Sequence, residues 1–399
     1  MANYRPKALP ALAALGTTIL LAASCSNLLL DSGLPIQKNA PVAVIVEAAI
    51  LGDMRAELDQ YATDLSREGR ETRIVSFAGG DAAALRRTVW NGAAEGEMAF
   101  LVGNLPSARF GMKAFGSWEE FPVDLYFTDG DCAWTDADGN GVFDAHGPLR
   151  ATKAVSRLAG DIGELKAYFA KLHRYRSGSF PRSDTAYIFK DDEWQDYERG
   201  SSFGLEKLVK TVSLNEGRDD TLRKNYVSAI VRTPDLYVYQ WIHAKPATLF
   251  IQEGDAYSVF SASEIGSAAP LGLFFNLFNC KAARYTEENL GTAYLTDTPY
   301  GLAAIGSTKI GGNYYPFEFH RSLARGRSWA QAFVDWHREY GARSDEWFLG
   351  MAAIGCPALM LKPSGGDPSA RGLAAGIPPP FVDEKAMLER LVAFDRSVP

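Results

Sequence analysis

The stretch Leu273-Phe-Phe-Asn-Leu-Phe-Asn-Cys280 is a nearly continuous apolar run that ends in an asparagine and a cysteine. Such a run is typical of a central β-strand that is covered on both faces, as the strands of parallel sheets are. Three similar runs, residues 247–251, 301–305 and 358–361, lie in the same half of the chain. We therefore expect this half to supply several central strands to one sheet.

Outward from this stretch, apolar runs alternate with amphipathic ones along the whole chain. Strands are predicted at residues 42–46, 73–77, 98–102, 185–189 and 212–214, and helices at 54–68, 81–91, 204–209 and 222–231. Asp161, three residues before Glu164, predicts a helix that begins with a capping box, and residues 236–241 are read as helical. The alternation predicts an α/β sandwich with a mostly parallel central sheet, built from two fused βαβ halves.

The first residues predict export. Arg5 and Lys7 precede an apolar run over residues 8–23, a pattern typical of a signal peptide rather than of a spanning helix. Leu21-Ala-Ala-Ser-Cys25 resembles a bacterial lipobox, so Cys25 is the predicted lipidation site. The product is then expected to be anchored by lipid to the cell envelope, on its periplasmic or surface side. The alternative is cleavage near Ala23 and a soluble exported product.

Composition divides the rest of the chain. The predicted segments are a signal peptide at 1–25, a tether at 26–41, an N-terminal α/β subdomain with an Asp-rich loop at 42–180, a C-terminal α/β subdomain at 181–362, a Pro- and Gly-rich linker at 363–380 and a terminal helix at 381–399.

A hydrophobic fraction of 47% indicates a globular protein. The net charge of −7 and the absence of a basic run disfavour a nucleic-acid partner.

The cysteines exclude two classes of protein. The four of them, Cys25, Cys132, Cys280 and Cys356, are too few for a disulfide scaffold, and none stands in a CxxC or Cys/His zinc spacing. With lipid on Cys25, three would remain, so at least one is expected outside a disulfide.

Residues 246–308 carry a resemblance to a known family. A hydrophobic run at 247–251 is followed by Gln252-Glu253-Gly254, a second run ends at Cys280, and a third ends in Gly306-Ser307-Thr308. This order is similar to that of the gingipain-type, caspase-like cysteine peptidases, in which one strand leads to a His-Gly pair, the next to the nucleophilic cysteine and a third to Gly-Ser-Thr. Supporting pieces are Leu101-Val-Gly-Asn104, Phe121-Pro-Val-Asp-Leu-Tyr-Phe127, Arg157-Leu158 and Gly355-Cys-Pro357, so the resemblance extends over residues 42–361.

The resemblance implies a caspase-like fold and assigns roles to three residues. Cys280 would be the nucleophile, and the backbone N–H of Gly254 would stabilise the oxyanion. Glu253 occupies the family's His position, where a carboxylate disfavours the thiolate that an imidazolium would favour. The leading interpretation is therefore a catalytically impaired homologue that binds peptides or proteins, or acts as a scaffold, at the envelope.

Two alternatives stay open. The first is an active cysteine endopeptidase in which Cys280 takes its base from elsewhere, with His243 as the candidate, although a helix over 236–241 would place His243 at the wrong edge of the sheet. The second is a purely structural surface lipoprotein in which Cys280 is a buried apolar residue.

An Asp-rich loop is a candidate calcium site. Asp136, Asp138 and Asn140 precede Gly141 in a D-x-D-x-N-G pattern like the first half of an EF-hand loop, with Val142 offering its carbonyl and Asp144 a further carboxylate. Gly147 stands where the EF-hand has its glutamate. The resemblance also favours calcium here, because related peptidases have calcium-stabilised loops in this region. A structural Ca²⁺ ion is the predicted cofactor.

Overall fold

A computed structural model describes residues 39–94, 96–181 and 183–362, together with 387, 389, 390 and 392–394. The predicted signal peptide, its Cys25, most of the tether and the 363–380 linker lie outside the described residues. Those described within the predicted C-terminal helix are helical. No helix within the described part of the chain is long and apolar enough to cross a membrane.

The strands form one large sheet and three small ones. In chain order they are β1 (Val42–Glu47), β2 (Thr72–Phe77), β3 (Met98–Val102), β4 (Arg109–Ala114), β5 (Ser117–Pro122), β6 (Trp134–Thr135), β7 (Ala145–His146), β8 (Val155–Leu158), β9 (Thr185–Lys190), β10 (Thr211–Asn215), β11 (Tyr237–Trp241), β12 (His243–Lys245), β13 (Thr248–Glu253), β14 (Ala256–Ser261), β15 (Phe274–Phe278), β16 (Ala303–Ser307) and β17 (Met351–Gly355). The central sheet has ten strands in the order β10-β9-β11-β15-β16-β17-β8-β3-β1-β2. Small antiparallel sheets are β4–β5, β6–β7 and β12–β13–β14.

All neighbours in the central sheet run parallel except β16 and β17. This confirms the predicted α/β fold with a mostly parallel central sheet. Strands β1, β2, β3 and β8 come from the first half of the chain and the other six from the second half. Because β16 and β17 are antiparallel while β17 and β8 are parallel, the carboxyl ends of β9, β11, β15 and β16 lie at one edge and those of the first-half strands at the other.

Helices cover the central strands. They are α1 (Ala48–Leu51), α2 (Arg55–Arg67), α3 (Ala82–Trp90), α4 (Ile162–Ser177), α5 (Arg223–Arg232), α6 (Ala262–Ala268), α7 (Leu290–Thr296), α8 (Phe317–Ala324), α9 (Trp329–Glu339) and α10 (Asp345–Phe348). The predicted capping box of α4 is present, since Asp161 accepts from the Glu164 N–H and the Glu164 carboxylate accepts from the Asp161 N–H. Every residue of β3, β11, β15, β16 and β17 is buried. Since alternate residues face opposite sides of a sheet, both faces are covered.

Four predictions of elements were wrong. Residues 236–241 are not helical but form β11, a central strand, because a run of aromatic and β-branched residues packs better on a pleated surface. The strand expected at 247–251 is present as β13, but it lies in the small antiparallel sheet instead of the central one. The strand expected at 358–361 precedes that run, as β17. The helix expected at 204–209 is a single 3₁₀ turn, Leu205–Lys207.

Candidate functional site

Three neighbouring strands of the second half deliver polar residues to one edge of the sheet. Strands β9, β11 and β15 are adjacent and parallel, with Trp241 paired to Lys190 on one side and to Phe278 on the other. Glu193 follows β9, His243 follows β11 by two residues, and Cys280 follows β15 by two residues. Carboxyl ends of neighbouring parallel strands form the crevice in which α/β proteins bind ligands. The topology therefore gathers Glu193, His243 and Cys280 at this edge.

A buried hydrogen-bond chain fixes the ends of β11 and β15 to each other. The Asn279 side-chain N–H₂ donates to the Ile242 carbonyl at 2.6 Å, and its Oδ1 accepts from the Gln240 amide at 2.8 Å. Gln240 Oε1 in turn accepts from the Tyr226 hydroxyl at 2.6 Å. Since Ile242 precedes His243 and Asn279 precedes Cys280, this chain joins the residues that stand directly before the histidine and the cysteine.

The His243 ring is held by Glu193. Its side chain is fully buried, and Nε2 hydrogen-bonds to the Glu193 carboxylate, which also accepts from the Tyr257 hydroxyl at 3.2 Å. Burial raises the pKa of Glu193, but the bonds from His243 and Tyr257 outweigh burial and the pKa of Glu193 is lowered. An ionised Glu193 selects the tautomer with hydrogen on Nε2. Nδ1 is buried and has no hydrogen-bond partner among the described residues.

Cys280 stands at a sharp turn. The next residue, Lys281, has a φ of 61°, in the left-handed region that costs a side-chain-bearing residue about 1 kcal/mol or more. Its N–H is bonded to the carbonyl of Lys309, two residues after β16. Gly312 lies against the same strand end, since an added Cβ would stand 2.7 Å from the Phe278 ring. The turn and these contacts leave Cys280 4% exposed.

A buried cation lies in the electrostatic range of the thiol. Burial lowers the pKa of Lys309 to about 8, while Glu119 and Cys280 raise it. The Lys309 ammonium donates to the Ile310 carbonyl at 2.7 Å and to the carbonyl of Glu346. An ammonium beside a thiol favours the thiolate over the neutral thiol. The thiolate is the form that attacks carbonyls.

Glu253 and Gly254 lie elsewhere. Both belong to the β13–β14 hairpin, where Gly254 is an exposed turn residue with a φ of 67°. Glu253 accepts from the Arg223 N–H at 2.8 Å and from the Ser258 hydroxyl at 2.6 Å. The Ser258 hydroxyl, then the Arg223 N–H, lower the pKa of Glu253, and Cys280 is not among its contacts. The strand that precedes Glu253 is thus not a neighbour of β15, contrary to the order expected from the sequence.

The other histidines lie on β7, α4, α8 and α9. His320 bonds to the Phe203 carbonyl and to the hydroxyl of Tyr237, the first residue of β11, and burial lowers its pKa to about 4. Burial lowers the pKa of His337 to about 4 as well. His146 bonds to Asp345 at 3.1 Å and His173 to Asp64 at 2.8 Å. The described cysteines Cys132, Cys280 and Cys356 are all buried and form no disulfide with one another.

Three carboxylates of the Asp-rich loop lie close together. It is framed by β6 and β7, and one carboxylate oxygen from each of Asp136, Asp138 and Asp144 lies within 4.8 Å of the others. Asp136 accepts from the N–H groups of Gly141 and Gly139, each at 2.8 Å, and these bonds lower the pKa of Asp136. The Asn140 side chain accepts from the Val142 N–H at 2.7 Å. The loop therefore presents ionised oxygens on one side, the ligands that Ca²⁺ prefers.

Sequence reasoning missed Glu193 and undervalued His243. An available signal for Glu193 was the acidic run Asp191-Asp192-Glu193 directly after a predicted strand. The signal for His243 was the strand-like composition of Tyr237-Val-Tyr-Gln-Trp241. A scan against models of protein families and a search of curated proteins each found no match for the chain.

Proposed function

We propose that the chain is a cysteine endopeptidase in which Cys280 is the nucleophile, His243 the acid–base group and Glu193 the residue that orients His243. One observation carries the proposal: three adjacent parallel strands end two or three residues before Glu193, His243 and Cys280. Nucleophile, base and orienting carboxylate are the parts that thiol-dependent acyl transfer requires. The resemblance to gingipain-type peptidases agrees with this class of reaction.

The chemistry follows from the two nitrogens of His243. Nδ1 takes the thiol proton as the Cys280 sulfur attacks a peptide carbonyl, and it then gives that proton to the leaving amine as the C–N bond breaks. Water hydrolyses the resulting thioester and restores the thiol. Glu193 keeps the Nε2 hydrogen and stabilises the imidazolium that forms during transfer.

Hydrolysis of casein and of fluorogenic peptides by the purified chain tests the proposal. We expect Cys280→Ala and His243→Ala each to lower the rate by about a thousandfold or more, because each removes a group that acts in the transition state. Cys132→Ala and His173→Ala are the matched controls and should retain activity. Hydrolysis that depends on Cys280 should also be sought in variants in which His243 is exposed to solvent. If neither these variants nor the full chain show it, the impaired binding or scaffolding protein is favoured.

We also propose that the Asp-rich loop binds one structural Ca²⁺ ion through Asp136, Asp138, Asn140, Asp144 and the Val142 carbonyl. The support is the convergence of three carboxylates within 4.8 Å. Calcium at about a hundred times its dissociation constant should stabilise the fold by about 2.7 kcal/mol. The thermal midpoint should rise with calcium and fall with chelator in the wild type and in Asp59→Asn, but not in Asp136→Asn combined with Asp138→Asn. An equal response in all three would contradict the site.

For location, we propose that the protein is exported and held at the cell envelope by lipid on Cys25, where its partners are the membrane and a peptide or protein ligand. The support is the lipobox-like sequence Leu21-Ala-Ala-Ser-Cys25. Membrane fractionation with mass spectrometry of the mature N-terminus tests it. Cys25→Ala should release the protein from membranes, and an unchanged distribution would contradict lipidation.

A further inference from the structure

The C-terminal helix lies on the candidate catalytic histidine. The Phe394 ring stacks on the His243 ring with centroids 4.1 Å apart and planes within 9° of parallel. Phe250 and Tyr257 of the β13–β14 hairpin pack on the Phe394 ring, with centroids 5.3 Å and 5.4 Å from its centroid. Phe394 is 4% exposed in this position. A segment distant in sequence thus occupies one face of the imidazole at van der Waals separation.

A second side chain of the helix contacts the orienting carboxylate residue. Arg390 donates a hydrogen bond to the backbone carbonyl of Glu193, and its guanidinium lies 5.4 Å from the centre of the Tyr197 ring. Its charge also contributes to lowering the pKa of Glu193. Met387, one turn before Arg390, is fully buried against the core. The helix therefore contacts both partners of the Glu193–His243 pair and is anchored beside them.

The contacts leave the imidazole inaccessible to a substrate. His243 is 1% exposed and Cys280 is 4% exposed. A scissile peptide bond must reach the imidazole so that Nδ1 can protonate the leaving amine, and a ring stacked at 4.1 Å excludes a peptide from that face. We propose that the helix carrying Met387, Arg390 and Phe394 is an inhibitory latch, which keeps the site closed until the helix is displaced. This inference rests on the proposed function, since it concerns the regulation of the same site.

The size of the latch suits reversible displacement. A single short helix is unstable alone in water, so its structure depends on the docking of Met387, Arg390 and Phe394. Glu389 and Ala393 are exposed whereas Met387 and Phe394 are buried, so the helix buries one of its faces. Because the latch belongs to the same chain, its effective concentration is high without a strong interface.

Two readouts in the full chain test the latch. The first is modification of His243 by diethyl pyrocarbonate, followed by mass spectrometry, which reports access to the imidazole and requires no enzymatic activity. In Phe394→Ala and in Arg390→Ala we expect His243 to react about tenfold faster than in the wild type, because the helix opens more often. The second readout is the hydrolysis of fluorogenic peptides, which should rise in the same variants and vanish when Cys280→Ala is added.

Phe180→Ala is the matched control. Phe180 is 6% exposed, close to Phe394 in burial, but its ring packs on Tyr175 and Tyr300 instead of His243. It should lose stability without gaining His243 modification, which separates local uncovering from general loosening. Equal modification of His243 in the wild type, Phe394→Ala and Arg390→Ala would overturn the latch. Faster modification of His243 without any hydrolysis would support the latch and contradict the peptidase proposal.

Discussion

The carboxyl ends of the first-half strands and those of β9, β11, β15 and β16 lie at opposite edges of one sheet and use their polar groups differently. Beyond β3, Asn104 and Glu164 line an open cavity of about 370 Å³. Its polar side chains serve the fold: Glu164 completes the α4 capping box, and Asn289 accepts from the Thr292 N–H at the start of α7. This cavity is accessible, and Glu164 and Asn289 on its lining already cap helices.

The second-half edge has the opposite character. It is closed, yet among the described residues His243 Nδ1 and one oxygen of Asp191 are buried without a hydrogen-bond partner. Burial raises the pKa of Asp191 well above its usual range. Lys281 has a strained backbone, and Lys309 is a buried cation. The candidate site is therefore distinguished from the cavity by being closed, with buried groups that have no hydrogen-bond partner among the described residues.

The largest expected effect lies in the first half, where charges neutralise each other. Arg157 of β8 forms a bidentate pair with Asp124 at 2.8 Å and 2.9 Å. Burial lowers the pKa of Arg157, but the Asp124 carboxylate outweighs burial and the net pKa is raised. Asp124→Asn should lower the free energy of unfolding in urea by about 3–5 kcal/mol, because it leaves a buried guanidinium unpaired.

The control for this prediction is the exposed pair of Arg55 and Asp59. Asp59→Asn should cost no more than about 1 kcal/mol, as exposed pairs do. If Asp124→Asn lowers the free energy of unfolding no more than the control does, the stability of the first half does not depend on its buried charges. The contrast between the two edges would then lose this part of its support.

The next effect concerns the hydrogen bonds that join β11 to β15. Asn279→Ala leaves the Ile242 carbonyl and the Gln240 amide without their partner, and each unsatisfied buried group costs about 1–3 kcal/mol. Peptidase activity should fall by a larger factor than the fraction of folded protein, since His243 loses its fixed position. Asn104→Ala, an exposed residue two positions after β3, should change stability by no more than about 0.5 kcal/mol. Equal losses in both variants, measured by urea unfolding and hydrolysis, would contradict a specific role for Asn279.

Glu193→Gln tests the orientation of His243. Its neutral amide can present N–H₂ to Nε2 and so favour the wrong tautomer, and we expect hydrolysis to fall by about tenfold to a hundredfold. The pKa of Glu193 is lowered in the fold, so its ionised form stabilises the protein above the unfolded carboxyl pKa, and this contribution is lost as pH falls through the folded pKa. The stability difference between the wild type and Glu193→Gln should therefore shrink on acidification. Glu206→Gln, in the 3₁₀ turn Leu205–Lys207, is the control. Equal activity in the two variants would contradict the orienting role of Glu193.

The sequence predicted the strands far better than it predicted their neighbours. Long apolar runs such as residues 98–102 and 273–277 identify buried strands because burial on both faces requires that composition. The site depends instead on the order β9-β11-β15, which joins Glu193 to His243 across 50 residues and Ile242 to Asn279 across 37. Strand order is a tertiary property, and one misread element, residues 236–241, was enough to place His243 at the wrong edge.

The smallest expected effect separates Glu253 from the chemistry. Glu253 is partly exposed to solvent and its partners are Arg223 and Ser258, so Glu253→Gln should cost only a few tenths of a kcal/mol and leave hydrolysis unchanged. Because the pKa of Glu253 is lowered in the fold, even this difference should fade as pH drops through that value. Hydrolysis gained in Glu253→His would contradict the assignment of His243 as the base, since a second imidazole on the hairpin would then reach the thiol. A large loss in Glu253→Gln would equally place the hairpin, and not the end of β11, beside Cys280.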